Sequence, residues 1–194
     1  CVMIVLPPDE EYTEWVFIPL FWVPEATLGE RAAEDKRVDW FAWVRPGGPL
    51  RTTPGDFVDQ NFVMEAILEA GKDFDLQLFG YDPWNAGKLV ADLQDAGLDA
   101  DKMVQMRQGH ATLGAPTKEL ERLIFAGKIE HGGHPVMAWM MGHCTVRFDQ
   151  NLNYVPDKKS SLDKIDGPVA AVMGLGLALA GDDPGPDLGD YLDG

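Results

Sequence analysis

The chain has 194 residues, of which 45% are hydrophobic and 25% are charged, enough for one domain with a substantial core. No run of about 18 apolar residues occurs, so a membrane-spanning helix is not expected. The longest apolar stretch, residues 168–180, predicts a buried helix instead. Two cysteines are too few for a disulfide framework, which favours a reducing compartment. Because the chain opens on Cys1 and shows no signal peptide, we expect a fragment or a processed product.

The net charge of −16 is distributed unevenly along the chain. Residues 1–101 carry 20 acids and 7 bases, residues 102–164 carry 6 acids and 9 bases, and residues 165–194 carry 6 acids and no base. A polyanion such as DNA would therefore have to approach over the middle third. A solvated surface of mixed charge is an equally good interpretation of the same pattern.

Apolar periodicity, caps and breakers predict an alternation of strands and helices. The helices are bounded by signals such as Pro24 and Pro116 at the first helical position, Asp59 and Asn85 as N-caps, and glycine at the end. In chain order, the predicted elements are a β-hairpin (1–6 with 14–21), a helix (24–34), an irregular stretch (40–51), a helix (59–71), a strand (76–81), a helix (85–97), a strand (103–106), a loop (108–110), a helix (116–127), a second β-hairpin (136–147 with 154–155) and a last helix (160–180).

This order of elements is typical of an α/β domain with a mixed sheet between two layers of helices. The chain shows no internal repeat. The residues from Gly181 onward consist largely of Gly, Pro and Asp, so this acidic tail (181–194) is expected to be disordered.

Asp82 directly follows the predicted central strand. Open α/β sheets place their sites at the carboxyl ends of strands, and Pro83 fixes the direction in which the chain leaves the strand. A functional carboxylate and a simple helix cap are both compatible with this position.

A second acidic position lies far downstream, in Lys164-Ile165-Asp166-Gly167. The predicted helix places Asp166 inside its first two turns, where an acid is costly to bury unless it is paired or binds a cation. Asp163 lies one turn earlier on the same face. The spacing from Ser160 to Asp163 also fits a capping box, which is the simpler role for Asp163.

Carboxylates that converge from separate elements suit hard divalent cations such as Mg²⁺ or Mn²⁺. Two such ions about 4 Å apart activate a water and stabilise the leaving oxygen in phosphodiester cleavage. Asp82 and Asp166, with Asp163 as a helper, leave this ligand set one acid short. A zinc cluster of His131, His134, His143 and Cys144 is a weaker alternative because their spacing is loose and no Cys-x-x-Cys pair accompanies them.

Several motifs, in order, resemble the carboxyl-terminal nuclease domain of the large terminase subunit of tailed phages, over residues 1 to about 180. Each motif is weak alone, but the ordered set is specific. The motifs are Phe21-Trp22-Val23-Pro24-Glu25, Thr53-Pro54-Gly55, Tyr81-Asp82-Pro83-Trp84-Asn85, Pro116-Thr117-Lys118-Glu119-Leu120-Glu121-Arg122-Leu123, His131-Gly132-Gly133-His134-Pro135-Val136, and Lys158-Lys159 with Lys164-Ile165-Asp166-Gly167.

The resemblance implies a ribonuclease-H-like fold and a metal-dependent endonuclease that cuts concatemeric phage DNA during packaging. It implies that Asp82 and Asp166 are metal ligands, with Mg²⁺ or Mn²⁺ as cofactor and Asp163 assisting. The expected partners are double-stranded DNA, the terminase small subunit and the portal protein, in the host cytoplasm at the procapsid portal. The residues expected to contact DNA phosphates are His110, Lys118, Arg122, Arg147, Lys158, Lys159 and Lys164.

Departures from the family pattern concern the start of the domain. The family's first metal-binding Asp belongs to a strand upstream of the one that residues 1–6 resemble, and this chain contains neither that strand nor a phosphate-binding loop. In ribonuclease-H-like sheets that strand is central, so its loss would leave two rows of unpaired backbone groups. A packaging-motor docking module with weak or no cutting is therefore a second hypothesis. A Holliday-junction resolvase on the same fold is a third.

Overall fold

A computed structural model describes residues 1–84 and 86–182. The strands are β1 (Val2–Leu6), β2 (Trp15–Leu20), β3 (Trp22–Pro24), β4 (Arg51–Thr53), β5 (Phe79–Tyr81), β6 (Met103–Gln105), β7 (Ile129–Glu130), β8 (Val146–Phe148) and β9 (Tyr154–Pro156). The α-helices are α1 (Leu28–Glu34), α2 (Trp40–Trp43), α3 (Gln60–Asp73), α4 (Gly87–Asp95), α5 (His110–Phe125), α6 (Pro135–His143) and α7 (Asp166–Asp182). None of the helices in these two ranges is long and apolar enough to cross a membrane.

The strands form one group of three and three pairs. β2 is the middle strand of the largest group, antiparallel to β1 from Leu20 opposite Val2 to Val16 opposite Leu6, and parallel to β7. β3 pairs with β4 and β5 pairs with β6, both in parallel, whereas β8 and β9 form an antiparallel hairpin. The predicted α/β class with mixed strand directions is therefore confirmed, and a second hairpin is present but shorter than predicted.

Helices cover the strands on two sides. Val2 on β1, Phe79 on β5 and Met103 on β6 pack on a cluster from α3 and α4, whose buried members are Val63, Ile67 and Leu93. Other residues of the same strands pack on the main core, to which α5, α6 and α7 contribute; they are Met3, Val5 and Val104. Alternate strand residues point to opposite faces, so β1 and the β5–β6 pair lie between the same two helical layers.

Helix α7 lies at the centre of the main core and is apolar around its whole circumference, as a helix buried on all sides must be. Its glycines allow close contacts: a Cβ on Gly174 would lie 2.6 Å from Cγ2 of Val5, and one on Gly176 would lie 3.2 Å from Cγ of Pro116. Toward the end of α7, Leu177 packs against Gly80 of β5. Helix α7 thus contacts both the three-stranded group, at β1, and the β5–β6 pair, at β5.

Residues 136–147 are mostly helical, so the hairpin strand predicted there is wrong except at its end, Val146–Phe148. An apolar run without clear periodicity fits a buried helix as well as a buried strand. His134 and Pro135 decide for the helix, because Nδ1 of His134 accepts a hydrogen bond from the backbone N–H of Met137 (3.4 Å) and Pro135 occupies the first turn.

Helix α5 begins at His110, whereas the sequence predicted its start at Pro116 and a loop at 108–110. Pro116 lies inside the helix, where proline removes one backbone hydrogen bond. The hydroxyl of Thr117 donates to the carbonyl oxygen of Leu113 (2.6 Å), and the Pro116 ring packs against Gly176 of α7. Tertiary packing therefore keeps a helix that local propensity would interrupt.

Helix α7 begins at Asp166, not near Ser160, because Gly167-Pro168 places proline in the first turn. Asp163 consequently lies before the helix. The predictions that it shares a helix face with Asp166 and that it forms a capping box with Ser160 are therefore both wrong. Oδ1 of Asp163 accepts from the backbone N–H of Lys164 (2.7 Å), and the Ser160 hydroxyl donates to Oδ2 of Asp157 (2.7 Å).

Smaller differences concern element ends. β5 is shorter than predicted, and the stretch 40–51, predicted to be irregular, contains α2 and the first residue of β4. α4 has Ala86 as its N-cap, and Asn85, predicted for that role, lies outside the described residues. Of the predicted disordered tail, Gly181 and Asp182 belong to α7, and residues 183–194 lie outside the described ranges.

Candidate active site

Asp82 follows β5 at the carboxyl end of a parallel strand pair, the predicted position. Both of its carboxylate oxygens are oriented by neutral donors. Oδ1 accepts from the backbone N–H of Trp84 (3.1 Å), and Oδ2 accepts from the side-chain amide of Gln108 (2.9 Å). These bonds fix the rotamer of Asp82 and leave lone pairs on both oxygens for a cation.

Gln108 is a site residue that the sequence analysis did not single out. It follows β6, the strand parallel to β5, so the carboxyl ends of the two strands bring its amide to Asp82. A polar residue just beyond the end of the neighbouring parallel strand was the available signal.

Two predicted DNA-contacting residues join the Asp82 side of the site. The guanidinium of Arg147, on β8, donates to the carbonyl oxygen of Gln108 (3.3 Å). Nε2 of His110, at the start of α5, lies 3.2 Å from the carbonyl oxygen of Arg147. Asp82, Gln108, His110 and Arg147 thus form a continuous polar chain from the strand end to the β8–β9 hairpin.

Asp166 is the first residue of α7 and its side chain is 45% exposed. Its Oδ1 lies 2.9 Å from the ammonium of Lys158, in the segment that leads from β9 to α7. Partial burial raises the pKa of Asp166, but the hydrogen bond from Lys158 and the nearby positive charges, Lys158 first and Lys164 among them, outweigh it, so the pKa lies below the usual value for Asp. The Cys1 thiol donates to the carbonyl oxygen of Asp166 (3.3 Å), which places the start of β1 beside the start of α7.

The remaining predicted DNA-contacting residues differ in their partners. Arg122 forms a bidentate ion pair with Glu119 on its own helix (2.7 and 2.8 Å), so its charge is already compensated. Lys118 donates to Oδ1 of Asn153 (2.8 Å) and lies over the ring of Tyr154. Lys159 and Lys164 are exposed, on the segment before α7. Lys158, Lys159 and Lys164 thus accompany Asp166, and Arg147 and His110 accompany Asp82.

Within residues 1–84 and 86–182, no three His, Cys, Asp or Glu side chains meet closely enough to hold a metal ion. The weaker zinc alternative is therefore not supported. His134 caps α6 instead, and the ring of His143 packs against that of Trp139 at 4.8 Å between ring centroids. The absence of such a group among the described residues also means that Asp82 and Asp166, taken with the acids around them, are an incomplete ligand set.

Acidic side chains at a strand end and a helix start, with basic side chains beside each, are typical of α/β domains that process nucleic acids. The chain belongs to the family of terminase large-subunit nuclease domains: the family model described as "Terminase large subunit, endonuclease domain" matches residues 1–182. The predicted resemblance is therefore confirmed at the level of the family.

Relatives of known name agree with this membership. The chain is 35% identical over 190 residues to the terminase large subunit of Enterobacteria phage HK97, which covers 97% of the chain and 37% of that protein. It is 33% identical over 166 residues to protein YmfN of Escherichia coli strain K12, covering 83% of the chain and 36% of that protein. The crystal structure of the HK97 large terminase superposes with a TM-score of 0.80 at 36% identity, over 90% of this chain and 36% of that one. The chain spans just over a third of the length of these relatives.

Proposed function

We propose that this nuclease domain is a Mg²⁺- or Mn²⁺-dependent endodeoxyribonuclease that cuts concatemeric viral DNA during genome packaging. Asp82 and Asp166 are its metal ligands, and Asp163 assists from the turn before α7. Family membership supports the nuclease class. The observation that carries the site is the pair of oriented, partly exposed carboxylates at the carboxyl end of β5 and the start of α7.

The donor chemistry of these residues fits a hard divalent cation, because carboxylate oxygens are the ligands that Mg²⁺ and Mn²⁺ prefer. When bound, such ions supply an activated water and stabilise the leaving oxygen of the phosphodiester. Gln108 orients the carboxylate of Asp82 through its side-chain amide. Arg147 beside Asp82 and Lys158 beside Asp166 offer positive charge to DNA phosphates.

We also propose the ribonuclease-H-like arrangement, with one more strand between β1 and β5. Among the described residues β1 hydrogen-bonds with β2 alone and β5 with β6 alone, although both lie between the same helical layers and both contact α7. Unpaired strand edges in such a position are costly, and an inserted strand would satisfy both. A further acid on that strand would complete the ligand set.

A supercoiled-plasmid cutting assay in Mn²⁺ tests the proposed site. Asp82→Ala and Asp166→Ala are each expected to slow cutting at least about a hundredfold, because metal catalysis supplies several kcal/mol of transition-state stabilisation. Asp56→Ala, which removes an exposed acid before α3, is the matched control and should cut like the unsubstituted chain. Cutting that survives both site substitutions would rule out this pair of carboxylates.

The second candidate function is a docking module of the packaging motor, in contact with the small subunit and the portal protein. The net charge of −16 and the incomplete acid set favour it. Both functions would place the protein in the host cytoplasm at the procapsid portal. In the same assay the docking hypothesis predicts no metal-dependent cutting by the unsubstituted chain, together with measurable binding to purified portal or small subunit.

A further inference from the structure

The Lys158–Asp166 ion pair lies at the surface and not in the core. The two side chains are 47% and 45% exposed, and Nζ lies 2.9 Å from Oδ1. Exposed ion pairs contribute little to stability because water and salt screen them. The contact therefore opens readily and is accessible to ions from solution.

An ammonium at this position competes with a metal ion for the same carboxylate. Mg²⁺ and Mn²⁺ bind oxygen at about 2.0–2.2 Å, so an ion on Asp166 would stand within a few ångströms of the Lys158 charge. Two cations at such a separation repel each other, and the metal ion carries twice the charge of the ammonium. A metal ion at Asp166 and the ammonium of Lys158 therefore weaken each other's binding to this carboxylate.

DNA offers the ammonium of Lys158 an alternative anionic partner, a backbone phosphate. Lys158, Lys159 and Lys164 are all exposed on the segment that leads into α7, so a phosphate backbone near Asp166 meets three ammonium groups. A phosphate oxygen can take over the Lys158 ammonium and free the carboxylate. Asp82, which is held by the neutral amide of Gln108, needs no such exchange.

We propose that Lys158 is an internal counter-ion that occupies Asp166 until a DNA phosphate draws it away, so that the metal ion and DNA bind cooperatively. This inference rests on the proposed function, since it takes Asp166 as a metal ligand. As a consequence, the carboxylate of Asp166 becomes available to a metal ion when DNA binds, and metal binding to the DNA-free protein is limited.

The first measurement is the Mn²⁺ affinity of the 194-residue chain without DNA, read by the electron paramagnetic resonance signal of free Mn²⁺. Lys158→Gln is expected to bind Mn²⁺ about tenfold more tightly than the unsubstituted chain, a typical size for a coupling between sites. Lys158→Arg keeps the charge and should keep the weak affinity. Lys72→Gln, the matched control, removes the ammonium of another exposed ion pair, with Glu69 on α3 (2.6 Å), and should shift the affinity by less than about twofold.

The second measurement repeats the titration with a short DNA duplex present. The unsubstituted chain should then bind Mn²⁺ about tenfold more tightly than without DNA, and by linkage DNA should bind more tightly by the same factor when the metal is present. Lys158→Gln should lose this DNA dependence, whereas Lys72→Gln should retain it. A duplex with phosphorothioate linkages keeps the backbone charge and slows strand cutting while the Mn²⁺ signal is read.

The outcomes separate the inference from the function on which it rests. Equal Mn²⁺ affinities for the unsubstituted chain and Lys158→Gln, or a weaker affinity in Lys158→Gln, would overturn the counter-ion role. Asp166→Asn is introduced both into the unsubstituted chain and into Lys158→Gln. If the Mn²⁺ affinity stays the same in both, the metal does not bind at Asp166, and the proposed function fails together with the inference. Far-ultraviolet circular dichroism of each variant confirms that the fold is retained.

Discussion

Asp82 accepts hydrogen bonds from two neutral donors, the backbone N–H of Trp84 and the amide of Gln108, whereas Asp166 faces the ammonium of Lys158. Neutral donors orient a carboxylate and leave its negative charge available, but a lysine compensates that charge directly. Under the proposed function, Asp82 can therefore take a cation directly, whereas Asp166 would first exchange the ammonium of Lys158 for it.

Apart from Asp82 itself, the largest effect expected on the Asp82 side comes from Gln108→Leu. Leucine keeps the approximate size of the side chain and removes the amide that fixes Oδ2 of Asp82. Loss of a partner that orients a metal ligand typically lowers affinity or activity 10- to 100-fold, so plasmid cutting in Mn²⁺ should slow by about that factor.

Gln105→Leu is the control for this variant, because Gln105 is an exposed residue on β6, three positions earlier. It should cut at the rate of the unsubstituted chain. Unchanged cutting by Gln108→Leu would show that Asp82 does not depend on a neutral orienting donor, and the contrast with Asp166 would lose its basis.

Helix α7 is the element that the two sides share, since it begins with Asp166 and packs against both β1 and β5. Gly174→Ala tests this support. The added Cβ would lie 2.6 Å from Cγ2 of Val5, a β-branched side chain with little rotamer freedom, and should destabilise the fold by about 1–3 kcal/mol in urea unfolding.

Gly71→Ala in α3 is the matched control, because a Cβ there meets nothing within 4 Å. It should stabilise the protein by about 0.4–1 kcal/mol through the unfolded state and helix propensity. A Gly174→Ala variant as stable as Gly71→Ala would mean that α7 does not pack tightly on β1.

The sequence predicts those parts of the molecule that local pattern determines. The β1–β2 hairpin, the strand before Asp82 and helix α4 after it follow from apolar periodicity and breakers, and these place Asp82 at a strand end. Helix α6 was missed because the run from Val136 is apolar on every side, which removes the periodicity that separates helix from strand. The start of α5 was missed because Pro116 is tolerated inside a helix by contacts with α7.

The partners of the two acids lie beyond such reasoning. Gln108 reaches Asp82 because β5 and β6 pair in parallel, and strand pairing depends on the whole fold. Lys158 reaches Asp166 because the segment before α7 is a turn, whereas the sequence predicted a helix from Ser160. Local pattern identifies which residues carry charge, and tertiary structure decides which of them meet.

The smallest expected effect concerns the support of the Asp166 side. The start of α7 packs on α6 and Phe21, and the ring of His134, the N-cap of α6, lies 5.3 Å from that of Phe21. Burial, assisted by the nearby His131, lowers the pKa of His134 below its usual 6.5. The neutral form is also the one whose Nδ1 can accept from Met137.

Because the pKa of His134 is lower in the folded than in the unfolded chain, the unfolded chain takes up a proton first as the pH falls. The free energy of unfolding should therefore be fully retained above about pH 6.5 and should decrease as the pH falls from there toward the folded pKa. His134→Asn keeps a good N-cap and removes the titration, so its unfolding free energy should depend less on pH across this window. The measurement is urea unfolding of both proteins between about pH 5 and 8. An unchanged pH dependence in His134→Asn would show that folding does not lower the pKa of this histidine.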